Sequence, residues 1–71
     1  MKEVFIDTEY ITLGQLLKHM DFIQSGGQAK YFLAENKVYV NDQVEDRRGR
    51  KLYPEDIINV QDMLLKIKKS I

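Results

Sequence analysis

The sequence predicts an α+β domain: two packed helices followed by a small antiparallel β-sheet, with a short C-terminal helix. Three observations carry this. Two apolar stripes at helical spacing lie in the first half of the chain, each behind a helix-start signature. At Val38 the apolar period switches from 3.6 to 2, the period of a strand. After Asp62 an amphipathic stretch follows, with Leu64, Ile67 and Ile71 on one face and Lys66, Lys68 and Lys69 on the rest. No repeat or linker interrupts the 71 residues, which read as one domain over 1–71.

Taken in order, Lys2–Ile6 carries the β-prone run Val4-Phe5-Ile6 and reads as a short edge strand. Thr12 opens the first helix, with Leu13, Leu16, Leu17 and Met20 along one stripe. Thr12 with Gln15 three residues on forms a capping box, and Gly14 weakens the first turn. Ser25 is the next N-cap, with Gln28 at the third helical position, and Ala29, Phe32 and Leu33 supply the second stripe. Asn36 closes this helix in the left-handed conformation. The linker Asp21–Gln24 is short enough to make the helices packed neighbours. Val38, Val40 and Val44 then alternate with Tyr39 and polar residues, with Asn41-Asp42 as a tight turn between strands. Leu52, Ile57, Ile58 and Val60 make a further strand region, preceded by a turn at Pro54-Glu55-Asp56. Asp62 caps the C-terminal helix.

With 44% hydrophobic and 31% charged residues the chain is a folded domain, not a disordered one. It has no cysteine, so disulfides, thiolate metal sites and a Cys nucleophile are excluded. The single His19 has no partner set for metal binding or nucleophilic catalysis. Glu45-Asp46 and Glu55-Asp56 read as solvated turn acids. No enzyme and no cofactor is expected. The N-terminus MKEVFIDTEY is acidic where a secretory signal is apolar, and no apolar run reaches a membrane span, so a cytoplasmic protein is expected.

A zero net charge hides an asymmetry. Residues 1–46 carry four lysines against eight acids, and residues 47–71 seven bases against three, a balance of −4 against +4. The sharpest feature is Arg47-Arg48-Gly49-Arg50-Lys51. Arginine forks onto phosphate bidentately and stacks on bases. Anion binding is the favoured reading, beside a structural ion-pair network with Glu45 and Asp46. At Ser25-Gly26-Gly27-Gln28, two glycines leave backbone N–H groups open to an anion, with Lys30 within one turn, and a plain helix cap is the alternative. Tyr31 points away from the second apolar stripe and Tyr39 alternates outward, near Lys30 and Lys37. Exposed aromatics among bases suit stacking of unpaired bases.

These segments in this order resemble the S4-type RNA-binding domain. The likeness runs through Ile11-Thr12-Leu13-Gly14-Gln15-Leu16-Leu17-Lys18, then Ser25-Gly26-Gly27-Gln28-Ala29-Lys30. It continues through Asn36-Lys37-Val38-Tyr39-Val40-Asn41 and ends in Leu52-Tyr53-Pro54-Glu55-Asp56-Ile57-Ile58-Asn59-Val60, about residues 11–60. The pattern Val44-Glu45-Asp46-Arg47-Arg48-Gly49-Arg50-Lys51-Leu52 is similar to the small stand-alone bacterial members, the YaaA-like group.

The resemblance implies an S4-like (alpha-L) fold and a non-catalytic protein that grips structured RNA of the ribosomal or transfer class, with the ribosome as a partner. A monomer is expected. The site residues it implies, together with the reading above, are Lys18, Ser25, Gly26, Gly27, Gln28, Lys30, Tyr31, Lys37, Arg47, Arg48, Arg50 and Lys51. The family often has Arg at the positions of Thr12 and Gly26, and Gly at those of Asp42 and Glu55. Charge is thereby moved onto Lys30 and the 47–51 loop. The alternative function is a small protein-interaction adaptor, docking through the C-terminal helix and the basic loop.

Overall fold

Leu13, Leu16 and Leu17 are fully buried, and the helix that carries them is fixed at both ends by local chemistry. In the computed structural model, which describes residues 1–70, this helix is α1 (Leu13–His19). At its start the capping box forms as the sequence predicts. The Gln15 amide donates to the Thr12 hydroxyl (3.2 Å) and the Thr12 amide to the Gln15 side-chain oxygen (2.9 Å). At its end Asp21 takes φ 64°, the Phe22 amide donates to the Leu17 carbonyl and the Asp21 amide to that of Lys18. That pair of bonds is a Schellman motif, with Asp21 standing where Gly is usual.

Gly26–Gln28 forms a 3₁₀ turn that runs into α2 (Ala29–Glu35). The helices meet closely. A methyl group on Gly14 would lie 3.7 Å from the Ala29 Cβ, and the Phe22 and Phe32 rings are 5.7 Å apart. The second cap differs from the prediction. The Ser25 hydroxyl makes no cap bond, and the Gln28 side chain accepts instead from the Gln24 amide (2.7 Å). Asn36 is extended (φ −128°, ψ 128°), not left-handed, because the chain passes almost at once into a strand.

The strands are β1 (Lys2–Ile6), β2 (Ile11–Thr12), β3 (Val38–Val40), β4 (Gln43–Glu45), β5 (Lys51–Leu52), β6 (Ile57–Val60) and β7 (Met63–Lys69). Five of them form one sheet in the order β1-β7-β6-β3-β4, and β2 pairs with β5 as a separate antiparallel ribbon. Lys2–Ile6 is the edge strand predicted, but it runs parallel to β7, so the sheet is mixed and not purely antiparallel. One face of the sheet presents Val4, Ile6, Val38, Val40, Ile58, Val60, Leu65 and Ile67 to Leu13, Leu16, Leu17, Ala29 and Leu33 of the helices. Val44 lies on the other face and is exposed. The inward position of β4 belongs to Glu45.

The largest correction is at the C-terminus, where the predicted helix is the strand β7. Leu65 and Ile67 face the core while Lys66 and Lys68 face out, a period-2 pattern that the helical reading of Leu64 and Ile67 overrode. The Ile71 position of that reading lies outside the described residues. Asp62 does not cap a helix. With Gln61 it forms a two-residue hairpin loop with both φ positive (50° and 67°), the backbone of a type I′ turn. Asn41-Asp42 is the same turn, as predicted (φ 50° and 71°). Pro54-Glu55 forms the other predicted turn, closed by the Asp56 amide on the Tyr53 carbonyl (3.0 Å). Glu55 has φ 80° at the position where such turns favour Gly.

Strand and helix readings of 63–69 separate cleanly by mutation. Leu65→Ala is expected to cost about 2–5 kcal/mol, the range for a buried leucine. Leu64→Ala, at a side chain 41% exposed, is expected to cost less than about 1 kcal/mol. Chemical denaturation of both variants checks this. Similar losses would contradict the strand register.

Candidate nucleic-acid interface

A helix leaves its first amide hydrogens without partners inside the helix. In α1 two of these amides are taken by the basic loop. The Leu13 amide donates to the Arg50 carbonyl (2.8 Å) and the Gly14 amide to the Arg48 carbonyl (2.9 Å). The loop can come this close because residue 14 has no side chain. A Cβ there would stand 3.4 Å from the Arg48 carbonyl oxygen and 3.5 Å from the Arg48 Cβ. Gly14, read from sequence as a weakness in the first turn, is the point where loop and helix join.

The loop is held from its other side by Glu45. Its carboxylate is only 6% exposed and receives four bonds. Arg47 donates through its backbone amide (3.1 Å), Nε (3.0 Å) and one terminal nitrogen (3.3 Å), and Arg50 donates through Nη1 (2.7 Å). The Arg47 guanidinium, reinforced by that of Arg50, outweighs desolvation and lowers the Glu45 pKa to about 2. The carboxylate correspondingly raises the pKa of Arg47. Glu45 is thus not the solvated turn acid its sequence context predicts. It takes the inward register of β4 opposite Val38, and burial of a charge there is offset by two arginines. Glu55 does stay exposed. Lys68 and then Lys66 hold its carboxyl below the usual range, with oxygens 2.9 and 3.2 Å from the ammonium groups.

Arg48, between the two clamped arginines, turns the other way. Its Nη1 lies 3.3 Å from the Gly26 carbonyl, so the basic loop reaches the start of the second helical segment. The result is a cleft of 350 Å³ lined by Thr12, Gly14, Gln15, Lys18, Gly26, Arg48 and Gly49. No carboxylate lines it, and among the described residues neither Lys18 nor Arg48 is ion-paired.

Of the residues expected from sequence, the structure therefore brings together Lys18, Gly26 and Arg48. Ser25, Gly27 and Gln28 adjoin the cleft in sequence without lining it, and all three are exposed. Lys30 and Tyr31 lie on the exposed side of α2, with Tyr31 70% exposed, and Lys37 is exposed before β3. Tyr39 is half-buried on the outer sheet face beside Val44 and Asn59. Arg47 and Arg50 serve Glu45, and the Lys51 ammonium lies 4.9 Å from the centroid of the Tyr10 ring. Sequence reading missed Thr12, Gly14, Gln15 and Gly49 as lining residues. The one signal for them was a glycine inside a helical stripe followed by a second glycine in the basic run.

Comparison with known proteins matches this arrangement to one family. The S4 domain family model matches residues 4–68. The chain belongs to the S4 domain family. A relative in Bacillus subtilis (strain 168), described as "Probable ribosome maturation protein RlbA", is 59% identical over 58 residues, 82% of each chain. Two positions at which S4 domains often carry Gly, those of Asp42 and Glu55, are here left-handed residues (φ 71° and 80°), so the turns keep their shape without the glycine.

The Glu45 clamp makes stability pH-dependent in a defined direction. A carboxyl whose pKa is lowered on folding stabilises the fold fully above its unfolded pKa, near 4.5, and loses that contribution as pH falls toward about 2. The contribution is on the order of 2 kcal/mol once solvent access to the arginines is allowed for. Glu45→Gln is expected to lower stability at pH 6 by about that amount and to flatten the acid limb of the stability curve. Urea melts between pH 6 and pH 2.5 measure both effects. An unchanged acid limb in the variant would show that the clamp contributes nothing.

Proposed function

We propose that this S4 domain is a non-catalytic RNA-binding protein that grips structured RNA of the ribosome or its precursors through the face built by α1, the 26–28 turn and the 47–51 loop. The observation that carries this reading is the position of Arg48. Laid against Gly26, it joins the basic loop to the second helical segment, over a cleft whose two cations, Lys18 and Arg48, have no ion-pair partner among the described residues. Such a surface is suited to phosphates, which supply most of the affinity in protein–nucleic acid complexes. The description of the Bacillus subtilis relative as a probable ribosome maturation protein supports a ribosomal setting. Ser25, Gly27, Gln28, Lys30, Tyr31 and Lys37 extend the same reading around the cleft, and Arg47, Arg50 and Lys51 give the loop its charge.

The adaptor reading is not favoured, because the C-terminal helix through which it would dock is the strand β7, and Ile67 of its apolar face is fully buried in the core.

Arg48→Ala and Lys18→Ala are expected to weaken binding to a ribosomal RNA fragment. Each should reduce the slope of log K against log salt by about 0.7–0.9 while leaving the melting temperature nearly unchanged. Fluorescence anisotropy at several salt concentrations is the measurement, and slopes equal to wild type would remove these side chains from the interface. Gly27→Ala tests the backbone. Gly27 has no positive φ and only the Ser25 hydroxyl within reach of a new methyl (4.0 Å). The variant is therefore expected to be at least as stable as wild type and to bind RNA more weakly. Thermal melts and isotherms on one sample read both. Undiminished binding would place the RNA away from this turn.

A further inference from the structure

On its outer side the ribbon β2–β5, with the residues flanking it, carries three side chains, Tyr10, Lys51 and Tyr53, that neither the core nor the cleft accounts for. Thr12 lies opposite Lys51 and Ile11 opposite Leu52. Leu52 is fully buried and Ile11 packs against the core, so the residues alternating with them, Tyr10, Thr12, Lys51 and Tyr53, share the side facing away. One step beyond the last pair, Tyr10 and Tyr53 meet with ring centroids 5.7 Å apart and planes tilted by 50°. The Lys51 ammonium sits 4.9 Å from the centroid of the Tyr10 ring, and Tyr53 remains 43% exposed.

We propose that Tyr53, buttressed by Tyr10 and flanked by Lys51, is a stacking platform for one unpaired base of the bound RNA, next to the phosphate cleft. This rests on the RNA-binding reading and extends it to a second kind of contact. Three features carry it. The platform is continuous with the cleft, since Thr12 lines the cleft and lies two residues from Tyr10 on the same side of the ribbon. It combines an exposed aromatic face with a cation, the pairing that holds single-stranded nucleotides by stacking and by phosphate attraction together. It is also held rigid. The Tyr53 amide donates to the Asp56 carboxylate (2.8 Å), its carbonyl accepts from the Asp56 amide (3.0 Å), and Pro54 follows it. Lys51, placed over Tyr10 and on the same side of the ribbon as Tyr53, is positioned for the phosphate of the stacked nucleotide. A fully paired RNA offers no free base face, so the platform favours RNA with an unpaired nucleotide at the edge of a stem.

The test uses the full chain and two synthetic RNAs: a blunt hairpin, and the same hairpin with a short single-stranded tail carrying 2-aminopurine. Wild type is expected to bind the tailed RNA more tightly and to quench 2-aminopurine fluorescence. Tyr53→Leu is expected to reduce affinity for the tailed RNA roughly 5- to 100-fold, from the usual contribution of one base–aromatic stack. Its affinity for the blunt hairpin and its salt slope should be unchanged, and Tyr53→Phe should retain both preference and quenching. Equal wild-type affinity for the two RNAs without quenching would overturn the proposal, and that result does not depend on any variant. An equal loss for both RNAs in Tyr53→Leu would also overturn it, by showing a structural role alone. Absence of salt-dependent binding to either RNA would sink the RNA-binding reading itself.

Discussion

Two amides at the start of α1, those of Leu13 and Gly14, donate to the carbonyls of Arg50 and Arg48, and the rest of the site depends on those bonds. A helix of seven residues is too short to be stable alone, so its ends must be satisfied by its surroundings. Thr12 and Gln15 supply part of this locally, and the basic loop supplies the remainder from more than thirty residues away. The loop can do so only while it keeps its shape. Glu45 gives it that shape by holding Arg47 and Arg50 from within the sheet. A core position occupied by a carboxylate thus ties β4, the loop and α1 into one unit.

That arrangement divides the labour within a run of like charges. Arg47 and Arg50 spend much of their charge on Glu45, and the loop is ordered as a result. Arg48, which lies between the two clamped arginines, is left to face the second helical segment. Lys51 turns toward the Tyr10 ring. Four neighbouring bases therefore have three different surroundings, although as a sequence they look alike. The zero net charge of the chain is no obstacle to an anionic ligand, because the potential near a cleft is set by the charges that line it.

The helices were legible because their signals are local. The Thr12–Gln15 box, the leucine stripe and the Phe32–Leu33 stripe each lie within one element. The hairpin at Asn41-Asp42 and the turn at Pro54 were legible for the same reason. Residues 63–69 were misread because Leu64, Ile67 and Ile71 match a helical period while Leu65 and Ile67 match a strand period. The choice is made by long-range pairing with β1 and β6. Glu45 was misread because nothing within a few residues shows that a glutamate faces the core. Its place follows from the register of β4 against Val38, and its tolerance from the two arginines beyond. Of the site, the residue types were readable, but not which cations stay free. That is decided by ion pairs and by the closeness that Gly14 permits.

The most direct test of the RNA-binding face is amide chemical-shift mapping of the labelled chain during titration with a ribosomal RNA fragment. Glycine amides are well-placed reporters, because Gly14, Gly26 and Gly49 line the cleft and Gly27 adjoins it. The expected result is a set of shifts confined to 10–18, 25–31 and 47–53 that fades as salt is raised, with the outer sheet face at Tyr39, Val44 and Leu64 unmoved. Shifts centred on that sheet face, with the four glycines silent, would contradict the assignment.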